Sequence, residues 1–430
     1  MRALVYDIKP AGWLACRLLR RFRPNVLTSP LNGLTLRDID PPGLPGDDWV
    51  RVRTLLGGIC GTDLALLAQK QPPDSILQAF SSMPMLLGHE NLAEVIETGP
   101  AVEDAWVGRR VCVEPTLGCV ARGIDPVCEP CSRGQFGACE NFGADGQGRY
   151  SLPPGTSTGY NSRTGGSYGE QFVAHVSQLV PVPDEVPDEV AILTDPLACS
   201  LHSVLRADLT EARRVLVYGA GVLGLGCIAA LRALGFEGEI HALDRADYLG
   251  EKATALGADR FLKLPPDAKG RFTRIAELTG ATQQVVRFGN RMLSGGYDVL
   301  LDCVGSPGAM QECLKWAAAR GQIVVVGTGS GGRVDWTPLW FRELTLHGAY
   351  GRSIEQVEGR RIGTYSLVLE WLASGRLAPS GLLTHTFALE DYREALKISM
   401  NKASHGAVKV AFDFRSLGEA RTITTGERHG

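Results

Sequence analysis

The sequence predicts an α/β protein, with a β-rich N-terminal part followed by a parallel sheet that helices cover on both faces. Two observations support this fold class. Short strand-like runs, separated by Gly, Pro and Asp, fill residues 1–190, as in DDWVRVRTL, LAEVIETG and RRVCVEP. From residue 191 onward, apolar strands such as RRVLVYG and GQIVVVG alternate with helical patterns, which is typical of a sheet buried on both faces.

Three segments follow from this change of pattern. The 430-residue chain is long enough for two or three domains. We expect a β-rich domain over 1–190, a nucleotide-binding domain over 191–347 and a C-terminal return over 348–430, with a helix in IGTYSLVLEWLASG and a last strand in AVKVAFDF. The final RSLGEARTITTGERHG has no periodicity and is expected to be loose.

Composition argues against several functional classes. The 44 basic and 47 acidic residues nearly balance, so no nucleic-acid partner is expected. No uncharged apolar run is long enough to span a membrane. Asp7 and Lys9 interrupt the apolar N-terminus, which argues against a secretory signal and for a cytoplasmic protein. The basic stretch CRLLRRFRPN at 16–25 is interpreted as a solvated helix face.

Four of the eleven cysteines lie close together in the stretch from 119 to 139. Disulfides, metal ligation and chance grouping are the alternatives. Because a cytosolic chain does not keep disulfides, the Cys-x-x-Cys pair favours metal. Four thiolates form a closed tetrahedral zinc site, which holds a loop and leaves no position for substrate. The predicted ligands are Cys119, Cys128, Cys131 and Cys139.

A glycine-rich turn lies between a β-branched strand and an amphipathic helix. It contains Gly219-x-Gly221-x-x-Gly224, the pattern of a dinucleotide-binding fold. Gly219 is predicted to make the turn, Gly221 to let the backbone approach the pyrophosphate, and Gly224 to let helix and strand pack. The helix N-terminus, where Val222 and Leu223 lie, offers N–H groups to the phosphates.

The next strand, EIHALD, ends in Asp244. Its carboxylate is predicted to accept hydrogen bonds from the adenosine ribose and to repel a 2′-phosphate, which favours NAD over NADP. Arg245 beside it weakens that preference, so NADP stays possible.

Two short stretches in the β-rich part carry candidate ligands: Gly58-Ile-Cys60-Gly-Thr62-Asp63 and Leu87-Gly-His89-Glu90. Taken alone, Cys60 is compatible with a buried hydrophobe and His89 with a turn histidine. Together, and followed by the cysteine loop, GGSYGEQFV, TDPLAC, GAGVLG and AVKVAFDF, they resemble the zinc-dependent medium-chain dehydrogenase/reductase family. The resemblance is to its sorbitol and threonine dehydrogenase branch.

This resemblance implies a discontinuous GroES-like catalytic domain, a central Rossmann domain and two zinc ions per chain. The catalytic zinc is expected on Cys60 and His89, with Glu90 as a ligand or close neighbour. Asp195 of TDPLAC is expected at or near the metal. The four loop cysteines are expected to bind the structural zinc.

Further roles come from the same resemblance. Zinc acts as a Lewis acid on an alcohol oxygen, and Thr62 passes the hydroxyl proton outward. Asp63 is expected to orient a ligand. Lys409 matches a position that contacts cofactor phosphate, although a plain surface lysine is the alternative.

The sequence also departs from the family pattern. Ala65 replaces a relay histidine, and Asp195 is one methylene shorter than the usual Glu, which favours a water bridge to the metal. Nine positions separate Cys119 from Cys128, a loop insertion. Residues 12–33 and 68–82 are longer than the common core, and the second segment is expected to border the substrate pocket.

The expected function is NAD-dependent oxidation of a secondary alcohol, namely a polyol, sugar or amino alcohol, by a homodimer or homotetramer. The alternatives are an NADPH-dependent aldehyde or ketone reductase of the same fold and a non-catalytic relative that binds nucleotide and zinc. A zinc-free quinone-reductase-like protein is disfavoured by the two metal patterns.

Overall fold

The computed structural model describes residues 1–71, 74–329 and 331–416. The predicted loose tail therefore lies, from residue 417, outside the described residues. Two compact units are present. The first comprises residues 1–195, 356–373 and the described residues from 380 onward; the second comprises 196–355 and 374–379.

The N-terminal part of the first unit is mainly strands joined by short helices. Its elements, in chain order, are β1 Arg2–Tyr6, α1 Pro10–Leu19, β2 Leu34–Asp38, β3 Trp49–Gly58, α2 Gly61–Leu67, β4 Met85–Leu86, β5 Glu90–Thr98, β6 Arg110–Val113, α3 Cys119–Arg122, α4 Glu129–Ser132, β7 Gln171–His175, β8 Leu179–Pro181 and α5 Asp188–Ala191. Helix α6, Thr194–Leu205, begins in the first unit and continues into the second.

The second unit alternates strands and helices, as the sequence predicts. Its elements are β9 Arg214–Tyr218, α7 Val222–Ala233, β10 Glu239–Asp244, α8 Leu249–Ala255, β11 Arg260–Lys263, α9 Ala268–Thr279, β12 Thr282–Val285, β13 Arg291–Ser294, β14 Tyr297–Asp302, α10 Pro307–Trp316, β15 Ala317–Val325, α11 Thr337–Phe341 and β16 Thr345–Gly348.

The chain then runs back into the first unit. The C-terminal elements are β17 Ile354–Val357, β18 Arg360–Gly363, α12 Thr364–Ala373, β19 Leu383–Phe387, α13 Tyr392–Met400, α14 Lys402–His405 and β20 Lys409–Asp413. Single 3-10 turns occur at Pro24–Thr28, Pro30–Asn32, Ile76–Phe80, Asp104–Trp106, Phe136–Ala138, Val176–Gln178, Arg287–Gly289 and Leu389–Asp391.

The largest sheet of the first unit has the order β19-β20-β3-β5-β6-β8, with β7 also paired to β3. Strand β3 is buried along most of its length, because its Val and Leu side chains meet core residues on both faces. Antiparallel pairing sets Gly58 of β3 opposite Glu90 of β5 and opposite Ala411 of β20. The ends of three strands distant in sequence therefore meet at one place.

The second unit contains a six-stranded parallel sheet in the order β11-β10-β9-β14-β15-β16. Because β9 is central and feeds directly into α7, the glycine-rich turn lies at the carboxyl edge of the sheet, where such folds bind ligands. The predicted α/β fold class is thus confirmed. No described helix has the length and apolar character needed to cross a bilayer.

Two features differ from the predicted pattern. Helix α1 lies within the part predicted to be β-rich and begins before the helix face predicted at 16–25, and a β-hairpin of β12 and β13 interrupts the alternation in the second unit. The hairpin sequence TQQVVRFGNRMLS has weak apolar alternation. The antiparallel hydrogen bonding between β12 and β13, rather than a strand-like residue composition, accounts for these two strands.

Candidate functional site

The structure brings together three of the predicted catalytic ligands. The ligand atoms of Cys60, His89 and Glu90 all lie within 4.8 Å of one another. The cause is the β3–β5 register, because Cys60 follows the end of β3 and His89 precedes the start of β5. Gly58 is required there: a Cβ would lie 2.4 Å from Glu90 Oε2 and 3.0 Å from Lys409 Cε.

Cys60 caps the N-terminus of α2. Its Sγ accepts a hydrogen bond from the backbone N–H of Thr62 at 3.5 Å, and the Thr62 Oγ1 lies 3.1 Å from the same sulfur. The Asp63 carboxylate accepts from the Cys60 backbone N–H at 3.3 Å, which completes a capping box. The helix start therefore fixes the thiol and the predicted relay hydroxyl side by side.

Asp63 is fully buried beside the histidine. Its Oδ1 lies 3.6 Å from Nδ1 of His89 and accepts a 2.7 Å hydrogen bond from the hydroxyl of Tyr160, while its Oδ2 accepts one of 2.7 Å from Tyr168. The Tyr160 ring also lies 5.6 Å from the His89 ring, between centroids. Sequence reasoning missed both tyrosines. Tyr168 lies inside the GGSYGEQFV motif, but no local signal marks Tyr160.

These neighbours lower the pKa values of Cys60 and Asp63. Burial acts to raise the pKa of Cys60, but the positive charge of His89 outweighs it, so the pKa of the thiol lies below its usual value. Burial likewise opposes ionisation of Asp63, yet His89 and the two tyrosines hold the pKa of that carboxyl low. The anionic forms are the ones that bind a metal or orient its ligands.

Zinc fits the donor set of this cluster. A thiolate, an imidazole and a carboxylate are ligand types that zinc takes in catalytic sites, where three protein ligands leave one position open. The ligand atoms of the three groups converge, and His89 and Glu90 are buried. The described residues therefore offer a site suited to zinc in chemistry and size.

Lys409 and Asp195 have partners that the sequence does not show. Lys409 is fully buried, forms an ion pair with Glu90 and donates to the Ile59 carbonyl at 3.1 Å. Lys409 is therefore not a surface lysine, and its contact with cofactor phosphate stays a prediction. Asp195 does not join the cluster of Cys60; it is buried, and its Oδ1 accepts a 2.5 Å hydrogen bond from the Tyr365 hydroxyl.

The four loop cysteines form a second cluster, with ligand atoms within 4.8 Å of one another. Cys119 Sγ lies 3.6 Å from Cys139 Sγ, and Cys128 Sγ lies 3.9 Å from it. A zinc–sulfur bond of about 2.3 Å in a tetrahedron gives sulfur–sulfur distances of roughly 3.8 Å, whereas a disulfide needs about 2.05 Å. The geometry fits zinc, and all eleven cysteines are free.

Hydrogen-bond donors around this cluster favour the thiolate form of Cys119 and Cys139. The Cys128 backbone N–H and the Asn141 side chain donate to Cys119 Sγ at 3.3 and 3.1 Å, and the Asn141 backbone N–H donates to Cys139 Sγ at 3.4 Å. Arg122, at the end of α3, is fully buried and donates to backbone carbonyls on both sides of the loop. Neither Asn141 nor Arg122 carries a recognisable motif in the sequence.

The glycine-rich turn has the predicted local structure in the second unit. Gly219 adopts a φ of +95°, and a Cβ on Gly224 would lie 1.9 Å from the Gly219 carbonyl oxygen. A Cβ on Gly221, in contrast, would meet nothing within 4 Å. Gly221 is exposed at the N-cap of α7, ahead of Val222 and Leu223. The fold thus requires two of the glycines and leaves open space at the third.

Asp244 lies at the end of β10 and closes the turn. Its Oδ2 accepts a 2.8 Å hydrogen bond from the Ala220 backbone N–H, and its Oδ1 accepts one of 3.0 Å from Ala246. Arg245 is exposed beside it. The carboxylate is therefore held next to the turn, as a ribose acceptor requires.

Comparison with known proteins agrees with this architecture. The sequence model of the Alcohol dehydrogenase GroES-like domain matches residues 46–184, and that of the Zinc-binding dehydrogenase matches residues 222–373. The chain belongs to the zinc-binding alcohol dehydrogenase family. The predicted family and the GroES-like and Rossmann fold class are confirmed.

Individual relatives of this dehydrogenase cover nearly the whole chain. L-idonate 5-dehydrogenase of Vitis vinifera is 30% identical over 388 residues, which is 89% of this chain and 93% of the relative. L-threonine 3-dehydrogenase of Pyrococcus horikoshii is 29% identical over 86% of this chain and 93% of its own length. A solved alcohol dehydrogenase from E. coli CFT073, complexed with NADH, has the same fold, with a TM-score of 0.71, 23% identity and coverage of 96% and 99%.

Proposed function

We propose that this family member oxidises a secondary alcohol of the polyol, sugar or amino-alcohol class by transferring a hydride to NAD. The observation that carries the proposal is the convergence of Cys60, His89 and Glu90 within 4.8 Å. Two relatives that cover most of the chain are named for a sugar acid and an amino alcohol, idonate and threonine, which supports the substrate class.

In the proposed mechanism, Cys60 and His89 hold the catalytic zinc, and Glu90 is a third ligand or a close neighbour. Zinc, when bound there, would supply Lewis-acid polarisation of the alcohol oxygen. Asp63 faces Nδ1 of His89, which leaves Nε2 as the nitrogen for the metal. Thr62 accepts and passes on the alcohol proton, and its position beside the Cys60 sulfur supports that role.

Asp195 and Lys409 have different proposed functions. Asp195 acts on the site from outside the ligand cluster, which agrees with a water-bridged rather than a direct interaction. Lys409 balances the charge of Glu90, because the two groups form a buried ion pair.

The cofactor is proposed to bind in the second unit. The backbone at Gly221 and the first N–H groups of α7, at Val222 and Leu223, bind the pyrophosphate, and Asp244 accepts hydrogen bonds from the ribose. The open space at Gly221 supports this, since no intramolecular contact explains that glycine. A second zinc on the four loop cysteines, a cytoplasmic location and a homo-oligomeric state complete the proposal.

The test measures NADH formation by the zinc-loaded protein with a panel of polyols, sugars and amino alcohols. Turnover is expected with wild type and with Cys16→Ser, a buried cysteine outside both clusters, and a loss of turnover with Cys60→Ser. Zinc is counted in each variant. Equal turnover in Cys60→Ser and Cys16→Ser would contradict the assignment of the catalytic site.

The second candidate, an NADPH-dependent reductase, rests on Arg245 beside Asp244. Asp244→Ala removes the carboxylate that repels a 2′-phosphate, and we expect NADP binding to improve roughly tenfold while NAD binding weakens. If wild type already prefers NADPH in binding titrations, the reductase hypothesis replaces the dehydrogenase one. Arg245→Ala is the matched variant, and it should lower the affinity for NADP only.

A further inference from the structure

Helix α1 carries a surface that the dehydrogenase reaction does not use. Leu14, Leu18 and Phe22 follow one another at intervals of four, so they form a single line along the helix and the turn after it. Their exposed fractions are 55%, 64% and 83%. The opposite side holds the buried Cys16, which contacts the rest of the unit. The stretch interpreted as a solvated helix face is therefore exposed, and Leu18 and Phe22 make its outer side partly apolar.

The charged residues of this segment are all of one sign. Four arginines and no acidic residue lie between positions 10 and 33. Arg17 and Arg21 flank the apolar row on the helix surface, and Arg17 stacks over Trp13 at 5.0 Å. Within the described chain, Arg17 and Arg21 form no ion pair with a carboxylate. These two arginines are thus available to an anionic partner.

The helix is anchored firmly enough to present this face. Arg20, on the inner side, donates to the Ala68 carbonyl at 2.7 Å, and the Gln69 amide donates to the Trp13 carbonyl at 3.0 Å and to Asn32 Oδ1 at 3.1 Å. These bonds tie α1 to the end of α2. The apolar row is therefore held outward by buried polar contacts, not exposed through loose packing.

We propose that this face of α1 docks on an anionic phospholipid surface. Large apolar side chains in a line, with arginines beside them, are the pattern of an interfacial helix: the apolar groups insert while the arginines reach the phosphates. A second copy of the chain is a poor occupant, because a symmetric contact would bring the arginines of both copies together. The proposal is independent of the proposed reaction.

The test is flotation of the full-length, zinc-loaded protein with vesicles of phosphatidylcholine alone or mixed with phosphatidylglycerol. Binding is expected only to the mixed vesicles and should weaken as salt is added. Arg17→Gln with Arg21→Gln should weaken binding roughly thirtyfold, since each basic residue near an anionic surface contributes about fivefold. Leu18→Gln with Phe22→Gln should abolish it.

Val107→Gln is the matched control, because Val107 is half-exposed in the same unit but far in sequence from α1. Circular dichroism melting verifies that every variant is folded. Absence of wild-type flotation, or equal flotation of the control and the Leu18/Phe22 variant, would overturn the proposal. If size-exclusion chromatography shows a larger oligomer that Phe22→Gln dissociates, the face binds a second copy of the chain. If a complex forms only when an acidic protein is added, the face binds that protein. Either result would overturn the lipid proposal.

Discussion

At the scale of single residues, Asp63 connects the candidate metal ligand to the tyrosines around it. Tyr160 reaches the carboxylate by its hydroxyl and the imidazole by its ring, so it fixes both groups. Groups that orient metal ligands commonly affect metal affinity or activity by tenfold or more. Tyr160 is therefore a positioning residue in the proposed site.

Tyr160→Phe should lower zinc affinity or kcat/KM roughly tenfold while the fold is retained. The hydroxyl is lost, but the ring still fills its place beside His89. Zinc content after dialysis against a chelator, together with steady-state kinetics, measures the effect. Tyr150→Phe removes a comparable hydroxyl–carboxylate bond, to Asp48, and serves as control. If the two variants behave alike, Tyr160 has no role in positioning.

The glycine-rich turn allows a paired prediction. Gly221→Ala should fold normally, because its φ of −67° suits alanine and its Cβ meets nothing, but should weaken NADH binding roughly tenfold. Gly224→Ala should lose about 1–3 kcal/mol of folding free energy, because its Cβ would overlap the Gly219 carbonyl. Urea denaturation and fluorescence titration with NADH separate the two effects. Unchanged NADH affinity in Gly221→Ala would argue against pyrophosphate binding at this turn.

Among the elements of the first unit, the cysteine loop depends on one buried arginine, which bonds to backbone carbonyls before and after the cluster. Arg122 donates to the carbonyls of Leu117, Ala144, Pro153 and Gly155, so it joins the short helix α3 to the segment that follows the cluster. It lies within the insertion between the first two cysteines. Burial lowers the pKa of the Arg122 guanidinium, and the charges of Cys139 and Cys119 oppose that shift only in part.

Arg122→Met should destabilise the first unit by about 3 kcal/mol or more, since several buried carbonyls lose their donor. Arg122→Lys should rescue little, because one ammonium cannot replace a planar fork of donors. The midpoint of thermal unfolding and the rate of zinc release to a chromogenic chelator measure this. Arg133→Met, an exposed arginine of the same loop, is the control. Zinc release from Arg122→Met at the wild-type rate would show that the arginine does not hold the loop.

At the scale of the whole molecule, β16 lies at one end of the parallel sheet, and the nearby Trp340 and Phe341 are largely exposed. An exposed edge strand pairs readily with another chain. We therefore expect the proposed homo-oligomer to form through this edge. Trp340→Lys with Leu346→Lys should shift the protein toward monomer in light scattering. Phe288→Lys is the control, because Phe288 is exposed on the β12–β13 hairpin, and it should leave the oligomer unchanged. If the Trp340/Leu346 variant also leaves the oligomer unchanged, the interface lies elsewhere.

Residue types and their order along the chain were enough to predict the family, the fold class and the local motifs. The turn at 219–224 and the cysteine cluster depend on short-range geometry: the φ of Gly219, the clash that Gly224 avoids and the spacing of cysteines along one loop. Such features follow from neighbours within a few residues, so residue type and spacing are enough to predict them.

Contacts between side chains distant in sequence depend instead on how the strands pair and pack. Lys409 reaches Glu90 because β20 pairs with β3, and Tyr160 reaches Asp63 across nearly a hundred residues. Asp195, although it lies in a recognisable motif, stays outside the ligand cluster. Strand register and packing between remote segments depend on the sum of many weak contacts, which no local pattern contains. For that reason the candidate ligands and Asp63 could be predicted from the sequence, whereas the two tyrosines that bind Asp63 and the pairing of Lys409 with Glu90 could not.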